Sequence, residues 1–115
     1  MIMKVLLDTS FILSAVRNKI DFLDEIEDLG LTPIVPKQVI VELEGIAKSK
    51  QESELALKIL KKIKTIDLKT KNTDAGIIKY AKNNKIVVAT LDKEIKKKTS
   101  NKKLVIRAKK KLELL

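Results

Sequence analysis

Ile86-Val87-Val88-Ala89-Thr90-Leu91-Asp92 is the stretch on which the fold turns. Ile86 to Thr90 is continuous, β-branched and apolar. A half-exposed strand alternates polar with apolar residues. An unbroken run suits a parallel sheet covered on both faces. Met3-Lys4-Val5-Leu6-Leu7 is a second such run, and it ends at Asp8. Thr32 to Val35, Thr65 to Leu68 and Leu104 to Arg107 complete five candidate strands. Pro33 and Pro36 accompany the second, which suggests a strand start or an edge.

Helical spacing fills the gaps. Ser10 to Val16 is one helix, and Asp21 to Leu29 is another, closed by Gly30 as a C-cap. Lys37 to Ala47 places Val39, Ile40, Leu43, Ile46 and Ala47 on one face. Gln51 to Lys64 turns Leu55, Ile59 and Ile63 inward, with Leu60 on the same side, and lysines outward. Thr73 to Lys82 starts with Thr73 as N-cap and Asp74 in the first turn. Asp92 to Lys98 is a short helix, and a basic tail is expected from about residue 108. Strands alternating with helices predict an α/β three-layer sandwich with a mainly parallel sheet. In such sheets the ligand sits beyond the carboxyl ends of the strands, at the topological switch point. A length of 115 residues makes this one domain, 1–115.

Composition excludes much chemistry. His, Cys and Trp are all absent, so no disulfide, thiolate nucleophile, Cys/His zinc site, Ser-His-Asp triad or imidazole base can be built. Carboxylates, lysines, hydroxyls and backbone remain. Carboxylates without His or Cys favour hard ions such as Mg²⁺ or Mn²⁺. Gly30, Gly45 and Gly76 are the only glycines and lie far apart, so neither a dinucleotide fingerprint nor a P-loop can be written.

The net charge of +10 is uneven. Residues 1–57 carry six bases and ten acids, whereas residues 58–115 carry nineteen bases and five acids. Such asymmetry points to a polyanion partner, with a merely solvated basic face as the plainer reading. Phe11, Phe22 and Tyr80 are the only aromatics, so contact with nucleic acid would run through phosphates rather than base stacking. No stretch has the roughly 18 apolar residues of a membrane span, and no signal peptide is legible. The expected location is the cytoplasm.

Four acids fall where the ligand should sit. Asp8 follows the first strand, and Asp92 lies just beyond the strongest one. Asp74 opens a helix, and Glu42 sits on the helix after the second strand. Each has a bland alternative. Asp8 and Asp92 suit N-caps, Asp74 suits the helix dipole, and Glu42 could be a surface acid, with Glu44 its equally placed rival. Acids that converge repel, by about 4 kcal/mol for a pair at about 4 Å and effective dielectric 20. A cation or raised pKa values would relieve this.

In this order the segments resemble the PIN-domain family of metal-dependent ribonucleases. The likeness rests on Val5 to Ser10, Val35 to Leu43, Thr73 to Ala81 and Ile86 to Ile95. It implies a five-stranded sheet of order 3-2-1-4-5, with the Asp8 and Asp92 strands adjacent. It implies that Asp8, Glu42, Asp74 and Asp92 are the catalytic, metal-holding set for Mg²⁺ or Mn²⁺, with Ser10 and Thr90 supporting them through hydrogen bonds. The reaction implied is metal-assisted hydrolysis of RNA phosphodiesters. Lys93, Lys96, Lys97, Lys98, Lys102, Lys103 and Arg107 would then hold the RNA backbone. Two departures stand out: Ala75 occupies a place where many members have a second acid, and Ser10 one where Asn is commoner. Ala75 bears on the number of metals. The short length and basic end look most like archaeal members related to the eukaryotic ribosomal-RNA-processing nuclease, with a toxin-type ribonuclease as the other branch. Partners implied are RNA, a second copy of the chain, and an antitoxin or ribosome-assembly protein.

Two rivals stand beside the nuclease. One is a non-catalytic RNA-binding assembly factor of the same fold. The other, a phosphoacceptor signalling domain, needs an acid pair at the end of the first strand, where Asp8 has only Leu7 and Thr9 beside it.

Overall fold

The computed structural model describes residues 3–47 and 50–115. Met3–Leu7 forms β1, followed by α1 (Thr9–Arg17), α2 (Phe22–Asp28) and β2 (Leu31–Pro36). Next come α3 (Lys37–Ala47), α4 (Gln51–Leu60), β3 (Lys64–Ile66) and α5 (Thr73–Asn83). The chain ends with β4 (Val87–Ala89), α6 (Lys93–Lys98), β5 (Lys103–Arg107) and β6 (Lys111–Leu114).

Among the described residues the strands form one sheet of order β3-β2-β1-β4-β5-β6. The first five run parallel, and β6 returns antiparallel to β5. The pleat assigns the core residues. Val5 and Leu7 of β1, Val35 of β2, and Val87 and Ala89 of β4 join Phe11, Phe22, Ile26, Val39 and Leu43 in one core. Leu6, Ile34 and Val88, the alternate positions, join Ile77, Ala81 and Ile95 of α5 and α6 in a second. The sheet is therefore covered on both faces, which is why its strands read as unbroken apolar runs.

Four expectations need correction. The segment expected as a basic tail is a sixth strand. Ala108 and Lys109 both adopt positive φ, 52° and 55°, in the tight turn that leads into it. A primed turn of this kind is usually announced by Asn-Gly or Asp-Gly, and here neither is present. Leu112 is buried against the first core, and its N–H donates to Glu25 Oε1 at 2.8 Å. Helix α4 stops at Leu60, not Lys64, because the chain must turn into β3. Its buried residues are Ser53, Ala56 and Leu60, and Ile59 and Ile63 pack against the first core as expected, but Leu55 is 50% exposed. The N-cap of α5 is Asn72, whose Oδ1 accepts the Ala75 N–H at 3.0 Å, and Thr73 is the first helical residue. Finally, β2 is an interior strand despite its prolines. The β2–β3 ladder starts at Ile34, so Pro33 lies where β2 has a neighbour on the β1 side alone.

Candidate active site

Strands β1 and β4 are neighbours with Leu7 opposite Ala89, and the Asp8 N–H extends the ladder to Ala89 O at 3.0 Å. From β1 the sheet grows towards β2 on one side and towards β4 on the other. The gap between β1 and β4 is thus the switch point, and Asp8 and Asp92 flank it.

Asp8 is only 5% exposed. It occupies the N-cap position of α1, yet its side chain makes no cap bond, so the capping role does not hold. Its Oδ2 instead accepts two hydroxyls, Thr90 Oγ1 at 2.7 Å and Ser10 Oγ at 3.1 Å. Each hydroxyl is itself an acceptor. Thr90 Oγ1 takes the Asp92 N–H at 3.0 Å, and Ser10 Oγ takes the Leu91 N–H at 3.0 Å. A hydroxyl has one proton to give and two lone pairs. Both protons therefore go to Asp8, and both groups grip the turn after β4. Asp8 Oδ1 has no hydrogen-bond partner among the described residues. A buried carboxylate with one oxygen doubly held and the other bare is oriented for a ligand.

Asp92 is half-buried and caps α6: its Oδ1 accepts the Glu94 and Ile95 N–H groups at 2.8 and 3.2 Å. The structural role of Asp92 is real, and it occupies one oxygen only. Asp74 lies in the first turn of α5, and its carboxyl is held above the ordinary aspartate range. Partial burial is the main cause, followed by the charges of Asp92 and Asp8. The three aspartates thus share one electrostatic neighbourhood. Glu42 is exposed and accepts the Thr9 hydroxyl at 2.9 Å, which ties it to the residue next to Asp8. Its rival Glu44 makes no such link. Asp74 feels the charges of Asp8 and Asp92, and Glu42 joins them only through Thr9, the neighbour of Asp8. No three of the described carboxylates already form a cage for an ion. The close-packed repulsion expected from the sequence reduces to the raised Asp74.

The donors suit a hard divalent cation. They are all oxygens, and none is paired with a lysine or arginine among the described residues. Asp74 is raised first by loss of hydration and then by the charges of Asp92 and Asp8, which a cation would relieve.

The basic candidates divide. Lys103 Nζ is turned inward onto the Thr99 and Asn101 carbonyls, and burial lowers its pKa. Arg107 pairs with Glu113 at 2.7 Å across the β5–β6 hairpin, and Lys98 pairs with Glu94 at 3.3 Å. Among the described residues, the side chains of Lys93, Lys96, Lys97 and Lys102 have no such partner. Lys93 adjoins Asp92 at the mouth of the site. Lys102 lies towards the amino end of β4, next to Asn101, whose amide binds the Ala81, Asn84 and Ile86 carbonyls. The charge asymmetry becomes a difference between faces. Residues 67–102, the α5 and α6 layer, hold ten bases and four acids, while residues 9–62, the α1 to α4 layer and β2, hold eight and nine.

Two side chains with a part in the site had no role assigned from sequence. Thr9 holds Glu42 from 33 positions away. Gln38 donates to Asp67 Oδ1 at 3.1 Å and Thr70 O at 3.3 Å, and accepts the Leu68 N–H at 3.3 Å. It thereby fixes the loop that delivers Asp74. All four bonds span distant segments, so no local pattern announces them.

Residues 5–111 match the family described as "PIN like domain". The chain is 34% identical to Ribonuclease VapC4 of Methanocaldococcus jannaschii over 125 aligned positions, covering 96% of this chain and 95% of that protein. Its fold is similar to that of the PIN domain endonuclease Utp24, with TM-score 0.81 and 24% identity over 96% of this chain and 90% of the other. It is also similar to a chain of VapBC2 from Rickettsia felis, solved bound to a promoter DNA fragment, with TM-score 0.59 and 17% identity over 88% and 98% of the two chains.

Proposed function

The chain belongs to the PIN-like domain family, and from that premise we propose that it is an endoribonuclease dependent on Mg²⁺ or Mn²⁺. It would hydrolyse RNA phosphodiesters in the cytoplasm, as a ribosomal-RNA-processing or toxin-type enzyme. The observation that carries the reading is the state of Asp8. It is a buried carboxylate at the switch point, with one oxygen fixed by two hydroxyls and the other left bare. The ribonuclease named among its relatives supports the same activity.

Asp8, Asp74 and Asp92 would hold the ion, with Glu42 as a further ligand or anchor. A divalent ion bound there supplies an activated water and a counter-charge for the phosphate oxygens. The chain's own residues do the rest. Ser10 and Thr90 fix the Asp8 carboxylate, as outer groups commonly do for metal ligands. Asp92 is aimed by its cap, and Thr9 keeps Glu42 at the rim. Lys93 and the lysines of the α5 and α6 face offset the repulsion between an acidic opening and a phosphate backbone.

The test is cleavage of single-stranded RNA with and without Mn²⁺, in the wild type and in Asp8→Asn. Mn²⁺-dependent product from the wild type alone is expected. Equal product from both would remove the acid from the chemistry. The rival, a non-catalytic RNA-binding factor, is favoured by the open spacing of the acids. It predicts RNA binding with no Mn²⁺-dependent product.

A further inference from the structure

We infer that the cavity between α3 and the loop entering α5 is a nucleotide subsite, seating the nucleotide of single-stranded RNA next to the one cleaved. The inference rests on the endonuclease reading and adds to it where the chain of the substrate runs.

The cavity measures about 360 Å³. Glu42 lines it, and so does Thr73, the neighbour of Asp74. It lies over the carboxyl ends of β2 and β3, where Pro36 pairs with Ile66. One to two strand spacings, roughly 5–10 Å, separate those ends from the end of β1. Its volume is at the lower end of the usual range for ligand pockets, about 300–1,000 Å³, which suits one nucleotide rather than a duplex.

Its lining selects the ligand. Val41 is 64% exposed, an apolar side chain turned outward on α3 within the cavity wall. It offers a sugar or base an apolar surface without aromatic stacking. Two carboxylates border the space, and both are engaged. Glu42 accepts from Thr9, and Asp67 accepts the Lys69 N–H at 2.8 Å and the Gln38 amide. The two ammonium groups, Lys37 and Lys71, have no hydrogen bond or ion pair among the described residues. The charge of Lys37 acts on Asp67 across the cavity without forming an ion pair, and both ammonium groups fit phosphates on either side of the seated nucleotide. Gln38 staples the loop to α3, so the wall is formed before any ligand arrives. With no aromatic and no buried donor set aimed at a base edge, the subsite grips the backbone and is indifferent to base identity.

The experiment compares the full-length wild type with a Lys37→Gln/Lys71→Gln double variant on a short single-stranded oligoribonucleotide. Neither lysine has a hydrogen bond or ion pair to lose, and only the pull of Lys37 on exposed Asp67 is given up, so unfolding temperatures should nearly match. KM is expected to rise at least tenfold, with kcat within twofold. Removing two phosphate contacts should also flatten the slope of log affinity against log salt by about 1.4, given about 0.7 per contact for a single strand. A KM within twofold of wild type, or an unchanged slope, would overturn the subsite. Should the wild type cleave nothing, the endonuclease reading fails separately. Fluorescence anisotropy with the same oligonucleotide in metal-free buffer then decides. Tenfold weaker binding by the variant supports the subsite, and equal binding overturns it.

Discussion

Thr90 Oγ1 donates to Asp8 Oδ2 at 2.7 Å and accepts the Asp92 N–H at 3.0 Å. One hydroxyl thus sets the position of two acids 84 residues apart in sequence. Thr90→Val keeps the shape and deletes both bonds. The Asp8 carboxylate is buried, and losing a partner there should cost about 1–3 kcal/mol in stability. Loss of such an outer support typically lowers activity about 10–100-fold. Thr90→Ser should recover most of both. Denaturant unfolding and Mn²⁺-dependent RNA cleavage measure the two effects, and an active, fully stable Thr90→Val would show that the network is idle.

Asp92 has two roles that a pair of substitutions separates. Asn is as good an N-cap as Asp, so Asp92→Asn should keep α6 and the overall stability while abolishing cleavage. Asp92→Ala removes the cap as well and should cost about 1 kcal/mol. Full activity in Asp92→Asn would leave Asp92 a cap and nothing more.

These pairs show which parts of the site were legible in the sequence. Asp8 and Asp92 could be placed because each ends or follows an unbroken apolar strand, and a parallel sheet brings strand ends together. Glu42 was read from its place on the helix after the second strand, where Glu44 was an equal rival, and only Ser10 and Thr90 entered through the resemblance. The fold puts both hydroxyls on Asp8 and ties Glu42 to Thr9. Thr9 and Gln38 were missed because their partners lie 29–33 residues away, on other elements. Strand β6 was missed for a different reason. Ala108 and Lys109 adopt left-handed backbone without the residues that favour it, so the turn is imposed by the packing of Leu112 beneath it. Lysines read alike in sequence, and only the fold separates the inward-turned Lys103 and the paired Arg107 from the unpartnered Lys93.

Gly76 tests how tightly the loop before α5 is seated. A Cβ there would fall 2.5 Å from Thr70 Cγ2 and 3.1 Å from the Leu68 side chain. Ala normally gains about 1 kcal/mol over Gly inside a helix. Here the overlap should outweigh that gain, and Gly76→Ala should destabilise by about 1–3 kcal/mol. Thr70→Ser removes the nearer methyl, so the double variant should regain part of the loss. Unfolding of both variants checks this, and a more stable Gly76→Ala would mean that the loop shifts freely.

Asp74 links the site to pH. Its pKa is higher in the folded protein than the ordinary 3.8, chiefly through burial and then through Asp92 and Asp8. An acid with a raised folded pKa binds its proton more tightly in the native state. Its protonated form therefore favours folding, and that contribution is lost as pH climbs through the folded value. In metal-free buffer at pH 7 the ionised Asp74 should thus weaken the fold. Asp74→Asn, which cannot ionise, should be more stable than wild type at pH 7, and the gap should close as pH falls below 3.8. Mn²⁺ should reverse the order of benefit, raising the Tm of the wild type more than that of Asp74→Asn, because the variant has given up a ligand along with the repulsion. Thermal unfolding across pH, with and without Mn²⁺, reads both effects. A wild type and variant that match at every pH would mean that Asp74 does not feel its neighbours, and a matching response to Mn²⁺ would take it out of the ligand set.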